Sequence, residues 1–431
     1  MNYARTEIMG DTVRDIIKNN LCFGCGTCSV VCQKTAITLS FNSIGQLLPS
    51  INADVCVDCG LCYNYCPSLD VKGNVGHLLQ NNDIYGNILN VSIGRSTNDL
   101  IYKNSQSGGV ATGILYYLFE SGLIDAAIVC QTVYSDDYLS KAIIVTNKND
   151  LLTCQKSSYT PVDMVSALKS VSCYEKVAFI GTGCHIQGVR TLKTIRKRKF
   201  SNIKYLIGLV CDRTLCKTST DILYGNNAKG RKKKLIWRDK TNDYKHAKLI
   251  VEEENGKRVE IPSWKRHYLK QYFTSPRCLI CFDKLNLGAD VVLGDPWGIN
   301  GVDWKNGDSL VICRTIQGQS ILKAMLANKM IQLRIVDTNK ALKGQDIDNR
   351  LKSIRRYLHV FEDQGWLVPR YSEKIMSDTP INAIEHEQNV INRFLNDKKT
   401  EKHKLIRKYS RQLRLFSLKR RIYTLYSLIK H

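Results

Sequence analysis

Apolar residues in the middle of this chain come in short continuous runs, separated by stretches of helical spacing. Residues 110–123 (VATGILYYLFESGL) repeat them at the interval of an amphipathic helix, and residues 125–131 (DAAIVCQ) predict the buried strand that follows. Residues 176–180 (KVAFI) and 204–210 (KYLIGLV) are continuous apolar runs of the kind found in sheets covered on both faces, and residues 289–293 and 309–313 repeat that look. The pattern predicts an α/β domain, or α+β with a mixed sheet. The expected organisation is a cysteine-rich segment over 1–70, a polar Asn- and Gly-rich linker over 71–90, the α/β domain over 91–315, a helical region over 316–397 and a basic tail over 398–431. No apolar run approaches the ~20 residues that span a bilayer.

Eight cysteines near the start form two runs, Cys22-x2-Cys25-x2-Cys28-x3-Cys32 and Cys56-x2-Cys59-x2-Cys62-x3-Cys66-Pro67. Three thiolates at this interval wrap one 4Fe–4S cubane, and the fourth reaches across to the other cluster. The spacing assigns one cluster to Cys22, Cys25, Cys28 and Cys66, and the second to Cys56, Cys59, Cys62 and Cys32. Gly24, Gly26 and Gly60 permit the tight turns such loops need. Zinc sites rarely use three successive ligands at this spacing, and the duplication argues against a disulfide framework. Gln33 stands where proline is expected after Cys32, which removes no ligand. Residues 15–70 resemble a bacterial two-cluster ferredoxin, whose chemistry is one-electron transfer.

Among the remaining cysteines, Cys184 lies in a GTGCHIQG turn directly after the 176–180 run, and Cys211 ends the next apolar run. Cys278 and Cys281 form a CxxC just before another. Reactive groups gather at the carboxyl ends of strands in α/β sheets, so these four are candidates for a third 4Fe–4S cage. Four unrelated buried cysteines are the alternative, and Cys216 is a rival ligand. Cys130, Cys154, Cys173 and Cys313 read as packing.

Seventeen cysteines, with no apolar signal segment in MNYARTEIMGDTVRD, predict a reducing cytoplasmic setting. The net charge of +24 is uneven: residues 398–431 hold twelve Lys/Arg against the single acid Glu401. Leu405, Ile406, Tyr409, Leu413 and Phe416 recur there at helical spacing, followed by Leu415, Leu418, Ile422, Leu425 and Ile429. Such a tail is a candidate for an anionic membrane surface, which would make the protein peripheral on the inner face of the membrane. Docking of the same stripe on the protein's own core or on a partner subunit is the alternative. Basic runs at 196–199 and 231–234 read equally well as solvated faces.

Ser105-Gln106-Ser107-Gly108-Gly109-Val110, the GTGCHIQG turn, the Val210-Cys211-Asp212 segment, the CxxC and Gly294-Asp295-Pro296-Trp297-Gly298 follow one another in a known order. Over residues 15–315 the chain resembles the beta subunits of coenzyme F-420 (deazaflavin) hydrogenases and dehydrogenases, a family that includes ferredoxin-dependent reductases. The resemblance implies FAD or FMN beside the extra cluster. It also places Lys156-Ser157-Ser158-Tyr159 in a segment that holds the flavin or a substrate anion. Family members often carry proline where this chain has Gly183 and glutamine where it has His185. The segment after Cys211 also departs from the commonest form, which puts the deazaflavin itself in question.

The loop 104–110, with hydroxyls, an amide and two glycines before a helix, is the best flavin-phosphate candidate, through Ser105, Gln106, Ser107, Gly108 and Gly109; an ordinary serine cap on a flexible loop fits equally. Asp295 and Trp297 either close the pocket or serve a turn. His185 is the catalytic candidate as a proton donor, or else a satisfied structural donor. No dinucleotide fingerprint or P-loop is present. The leading expectation is an iron–sulfur flavoprotein oxidoreductase, drawing on a redox partner protein or ferredoxin and a small-molecule electron donor or acceptor. The alternatives are a non-catalytic electron-transfer subunit and, less favoured, a nucleic-acid-binding cluster protein. The basic runs lack recognition motifs, so no nucleic acid is expected.

Overall fold

The computed structural model describes residues 11–69, 84–133, 139–225, 232–240, 244, 247–371 and 384–429. Residues 71–83 of the expected linker lie outside these, as do Arg231 of the second basic run and the side chains of Leu425 and Ile429 in the tail. The strands are β1 (Ile37–Phe41), β2 (Leu47–Ile51), β3 (Asn90–Ser96), β4 (Ala126–Val133), β5 (Leu139–Val145), β6 (Val177–Gly181) and β7 (Ile203–Leu209). They continue with β8 (Lys232–Asp239), β9 (Lys248–Glu253), β10 (Arg258–Ile261), β11 (Val291–Gly294), β12 (Ser309–Cys313) and β13 (Ile331–Ile335).

The continuous apolar runs become the inner strands of an eight-stranded mixed sheet, ordered β13-β3-β12-β11-β7-β6-β4-β5. Strands β4, β6, β7 and β11 are parallel, and antiparallel neighbours flank them on both sides. Helices cover both faces. Val110–Glu120 packs on one through Val110, Ile114 and Leu118, and Gly183–Ile195 on the other through Ile186, Val189 and Leu192, all buried. With cover on both faces, no polar alternation survives in the inner strands.

Two parts of the sheet depart from expectation. Strand β3 begins at Asn90, the last residue of the expected linker, in a stretch that the apolar pattern did not mark as a strand, and pairs with both β12 and β13. The approach to it is pinned, because the buried Arg314 donates to the carbonyls of Tyr85 and Asn87. A second, three-stranded antiparallel sheet, β10-β9-β8, is inserted between β7 and β11 and takes up Lys232–Lys234 of the second basic run.

The cysteine-rich segment shares its core with the large domain. Val13, Ile16, Leu21 and Ile37 pack in one apolar cluster with Leu310, Ile354 and Phe361. The last helix, Lys402–Ile429, docks its first half on the protein. Leu405, Tyr409 and Leu413 are buried with Phe273, Phe394 and Ile44, and Tyr409 donates its hydroxyl to Asp397. Each such burial contributes roughly 1.5–3 kcal/mol. Of the two expectations for the stripe, docking on the protein's own core therefore holds for that half, in place of a membrane surface. Among the described residues no helix is long and apolar enough to cross a membrane.

Candidate functional site

The two N-terminal cysteine runs fold around left-handed glycines, with φ of 71° at Gly24, 89° at Gly26 and 69° at Gly60. Those turns bring seven of the eight thiols near one another. Cys28 lies within electrostatic reach of Cys22, Cys25, Cys66 and Cys62, and Cys62 in turn within reach of Cys32 and Cys59. Burial pushes the Cys22 thiol up to about 12 and raises Cys25, Cys28 and Cys66 as well, with neighbouring thiols adding to the effect on Cys22, Cys28 and Cys66. Backbone N–H groups of Gly24 and Val13 donate to Cys22 Sγ and Cys62 Sγ, each at 3.3 Å. Cys59 is exposed at the outer end.

The four later cysteines converge beside the first group. Cys184 lies within reach of Cys25, Cys211 and Cys278, and Cys211 within reach of Cys278 and Cys281. Burial pushes Cys211 up to about 12 and raises Cys184 and Cys278. Cys22 in turn feels Cys278, so the three groups are contiguous. A cationic iron–sulfur core that binds thiolates suits a donor set of thiols crowded in this way. Among the described residues no three Cys, His, Asp or Glu side chains gather on a single ion-sized point. Cys216, the rival ligand, is near Cys278 but packs in the apolar cluster of Ile222 and Leu223. Cys313 is core, whereas Cys173 is exposed, and Cys130 and Cys154 line the cavity described next rather than serving packing alone.

A cavity of about 360 Å³ opens at the carboxyl ends of the parallel strands. Its wall includes Cys184, Cys211, Ser105, Gln106, Ser107, Gly109, Lys156, Tyr159, His185, Asp295 and Trp297, with Phe23 from the N-terminal segment. Gln106 ties the two expected cofactor segments together, since its Nε2 donates to Tyr159 Oη and its Oε1 accepts from the Ser157 backbone. Gly109 caps the helix Val110–Glu120 at φ 77°, and Val110, Ala111 and Thr112 of its first turn line the cavity. First-turn N–H groups have no partner within a helix, and with Lys156 they suit an anionic group. Burial, then Lys234, lowers the Lys156 pKa.

Gly108 plays a different part from the one expected. A Cβ there would meet Gly94 O at 2.3 Å and Ser309 N at 2.6 Å, and the Gly108 N–H donates to Ser309 Oγ. The glycine serves packing against β3 and β12 rather than approach to a phosphate. Ser105 is likewise engaged, its hydroxyl sharing one proton between Tyr102 O at 2.7 Å and Ser107 O at 2.6 Å.

His185 is half-buried and neutral, its pKa pushed down to about 4 by desolvation. Its Nδ1 accepts from the Thr182 N–H at 3.3 Å, and its Nε2 is 3.1 Å from Val162 O. Both nitrogens are engaged within the fold. Gly183 has a local reason too, since a Cβ would lie 2.5 Å from Asp283 Oδ2. The buried Asp283 accepts from Gln187 and takes the room a proline ring would use.

Several site residues had no signal in the sequence. Arg238 and Lys240 come from the inserted sheet. Arg238 pairs with Asp295 at 2.5 Å, and Tyr244 donates to the same carboxylate. Trp297 stacks on Trp304 at 5.3 Å, and Trp304 on Tyr244 at 5.8 Å. Lys240 donates to Tyr102 O, Ser105 Oγ and Ser107 O, holding the 104–109 loop from behind. A lysine-rich run just ahead of Leu235, Ile236 and Trp237 looks like solvated surface until its pairing with β9 is known.

Comparison with known proteins gives three family matches. The C-terminal model of the coenzyme F420 hydrogenase/dehydrogenase beta subunit matches residues 174–339, its N-terminal model residues 91–169, and a 4Fe-4S dicluster domain residues 21–69. The chain is 28% identical over 360 residues to the coenzyme F420-dependent sulfite reductase of Methanocaldococcus jannaschii, covering 77% of this chain and 50% of that one. It is 27% identical to a subunit of the F(420)H(2) dehydrogenase of Methanosarcina mazei, over 47% of this chain and 56% of that one. It is 26% identical to the beta subunit of the coenzyme F420 hydrogenase of Methanosarcina barkeri, over 60% and 84%. The chain thus spans about half the length of the first two relatives. A chain of the xenon-derivatised F420-reducing [NiFe] hydrogenase complex from Methanosarcina barkeri shares the fold, with TM-score 0.50 and 22% identity over 64% of this chain and 96% of that one.

Proposed function

The chain belongs to the family of coenzyme F420 hydrogenase/dehydrogenase beta subunits, and from that premise we propose that it is an iron–sulfur flavoprotein oxidoreductase. Three 4Fe–4S clusters would supply single electrons to, or take them from, a flavin that would exchange two electrons with a deazaflavin-like or other small substrate. The observation that carries the reading is the contiguity of the thiols. They run from the exposed Cys59, through the group of Cys22, to Cys184 and Cys211 in the cavity wall.

When bound, the clusters supply one-electron steps and the flavin supplies exchange with a two-electron partner. Cys22, Cys25, Cys28 and Cys66 would hold one cluster, Cys32, Cys56, Cys59 and Cys62 the second, and Cys184, Cys211, Cys278 and Cys281 the third. Lys156 and the first turn of Val110–Glu120 receive the phosphate, while Tyr159 and Trp297 bound the cavity. Asp295 keeps Arg238 charged beside it despite burial. The exposed Cys59 end receives a redox partner protein.

Anaerobically purified full-length protein tests this. Flavin should stay bound at micromolar concentration and be bleached by a small hydride donor. A chain with full iron content and no flavin affinity at that concentration is instead a non-catalytic electron-transfer subunit, the role that the names of its relatives suggest.

A further inference from the structure

The helix Lys402–Ile429 carries two apolar faces, and the protein covers one of them. Leu405, Tyr409 and Leu413 recur every four residues and are at most 1% exposed. Phe416 extends that face, stacking on Tyr268 at 4.5 Å and leaning on Trp264. At about 100° per residue, Leu415, Leu418 and Ile422 fall on the far side of the helix. They stand 52%, 56% and 57% exposed. Arg411, Arg414, Lys419 and Arg421, all exposed, flank this second stripe or lead into it.

We propose that this outer face seats the protein on an anionic lipid surface, lying in the plane of the interface. Aliphatic residues bordered by Arg and Lys form the pattern that inserts at the headgroup boundary while its cations meet acidic lipid. Charge separates this occupant from a second copy of the chain, because two such faces would bring their basic residues together. The residues after 397 carry about 11 of the 24 net positive charges (12 basic minus one acidic), so the attraction is concentrated at this helix. The docked face holds the helix in place, and the outer face is presented without unfolding.

The test is co-sedimentation of full-length protein with vesicles of phosphatidylcholine and phosphatidylglycerol, against phosphatidylcholine alone, at low and high salt. Wild type should pellet with the anionic vesicles only, and less as salt rises. Leu415→Gln/Leu418→Gln/Ile422→Gln should weaken pelleting by about tenfold or more while iron content and helicity stay unchanged. Arg411→Gln/Arg421→Gln should weaken it and flatten its salt dependence. Wild type remaining in the supernatant, or a triple variant that pellets like wild type, overturns the proposal. So does a dimer that the triple variant abolishes in protein that binds no vesicles, which would assign the face to a second copy.

Discussion

Arg277 grips Ser68 with two bonds, from Nε to Ser68 Oγ at 2.8 Å and from Nη2 to Ser68 O at 2.9 Å. The two residues sit beside cluster cysteines from opposite parts of the chain, Arg277 before Cys278 and Ser68 two positions after Cys66. Arg277 is fully buried, lies 4.2 Å over the Phe23 ring and donates to Tyr371 as well. Ser68 passes the contact on, donating to Leu21 O. Arg277→Met leaves these acceptors buried without a donor, at roughly 1–3 kcal/mol each. Denaturant titration under anaerobic conditions should show a loss of about 2–4 kcal/mol. Arg277→Lys should recover only part of it, since an ammonium cannot reproduce the fork.

Iron analysis separates ligand from packing cysteines. Cys184→Ser or Cys281→Ser in the full chain should lose about a third of the iron, one cluster of three. Cys216→Ser should keep all of it and cost stability only, because Cys216 faces Ile222 and Leu223. Full iron retention in Cys184→Ser would remove the third cage.

Lys240 makes stability depend on alkaline pH. Burial first, then Lys156 and Arg95, push its pKa down to about 8, although three oxygens accept from it. The unfolded chain keeps this proton until about 10.4. Between those two values the unfolded state binds more protons, so the contribution of Lys240 to folding stability rises with pH across the window. Below pH 8 both states are charged and the burial cost is fully present. Denaturation of wild type and Lys240→Met at both ends of the window should show wild type gaining on the variant as pH rises.

Asp295→Asn leaves Arg238 charged with a side chain only 7% exposed. Losing one partner of a buried pair costs about 3–5 kcal/mol. Thermal unfolding should reveal that loss even with no ligand added, whereas a residue that merely rims the cavity would leave unfolding unchanged.

The cysteine runs and the strands at 176–180, 204–210 and 309–313 were legible because each obeys a local rule, ligand interval or burial on both faces. The approach of Cys184 to Cys211 followed from thiols after neighbouring parallel strands sharing one edge of the sheet, whereas the CxxC, beginning on the short helix Pro276–Leu279, is brought beside them by the fold alone. Strand β3 was not: its polar Asn90, Ser92, Arg95 and Ser96 resemble loop residues until β12 and β13 close on either side. The inserted sheet was missed for a related reason. Its lysines and glutamates follow an antiparallel register, Lys234 opposite Glu252, that no single segment reveals. The glycines of the 105–110 loop look alike in sequence. Only the backbone of Gly94 and Ser309 shows that Gly108 packs on strands while Gly109 starts a helix.

The N-terminal segment is held from several directions: Ser29 meets Ser166 at 2.6 Å, Arg196 donates to Val31 O at 2.9 Å, and Ser68 is gripped by Arg277. A free ferredoxin must find its enzyme by diffusion, dock and leave, so its delivery slows on dilution and in salt. Here that encounter is abolished. On the proposed reading, transfer between the first eight cysteines' clusters and the cavity would be a first-order event, with a rate that neither protein concentration nor ionic strength should change. Dilution and salt would then act on the encounters with outside donors and acceptors alone.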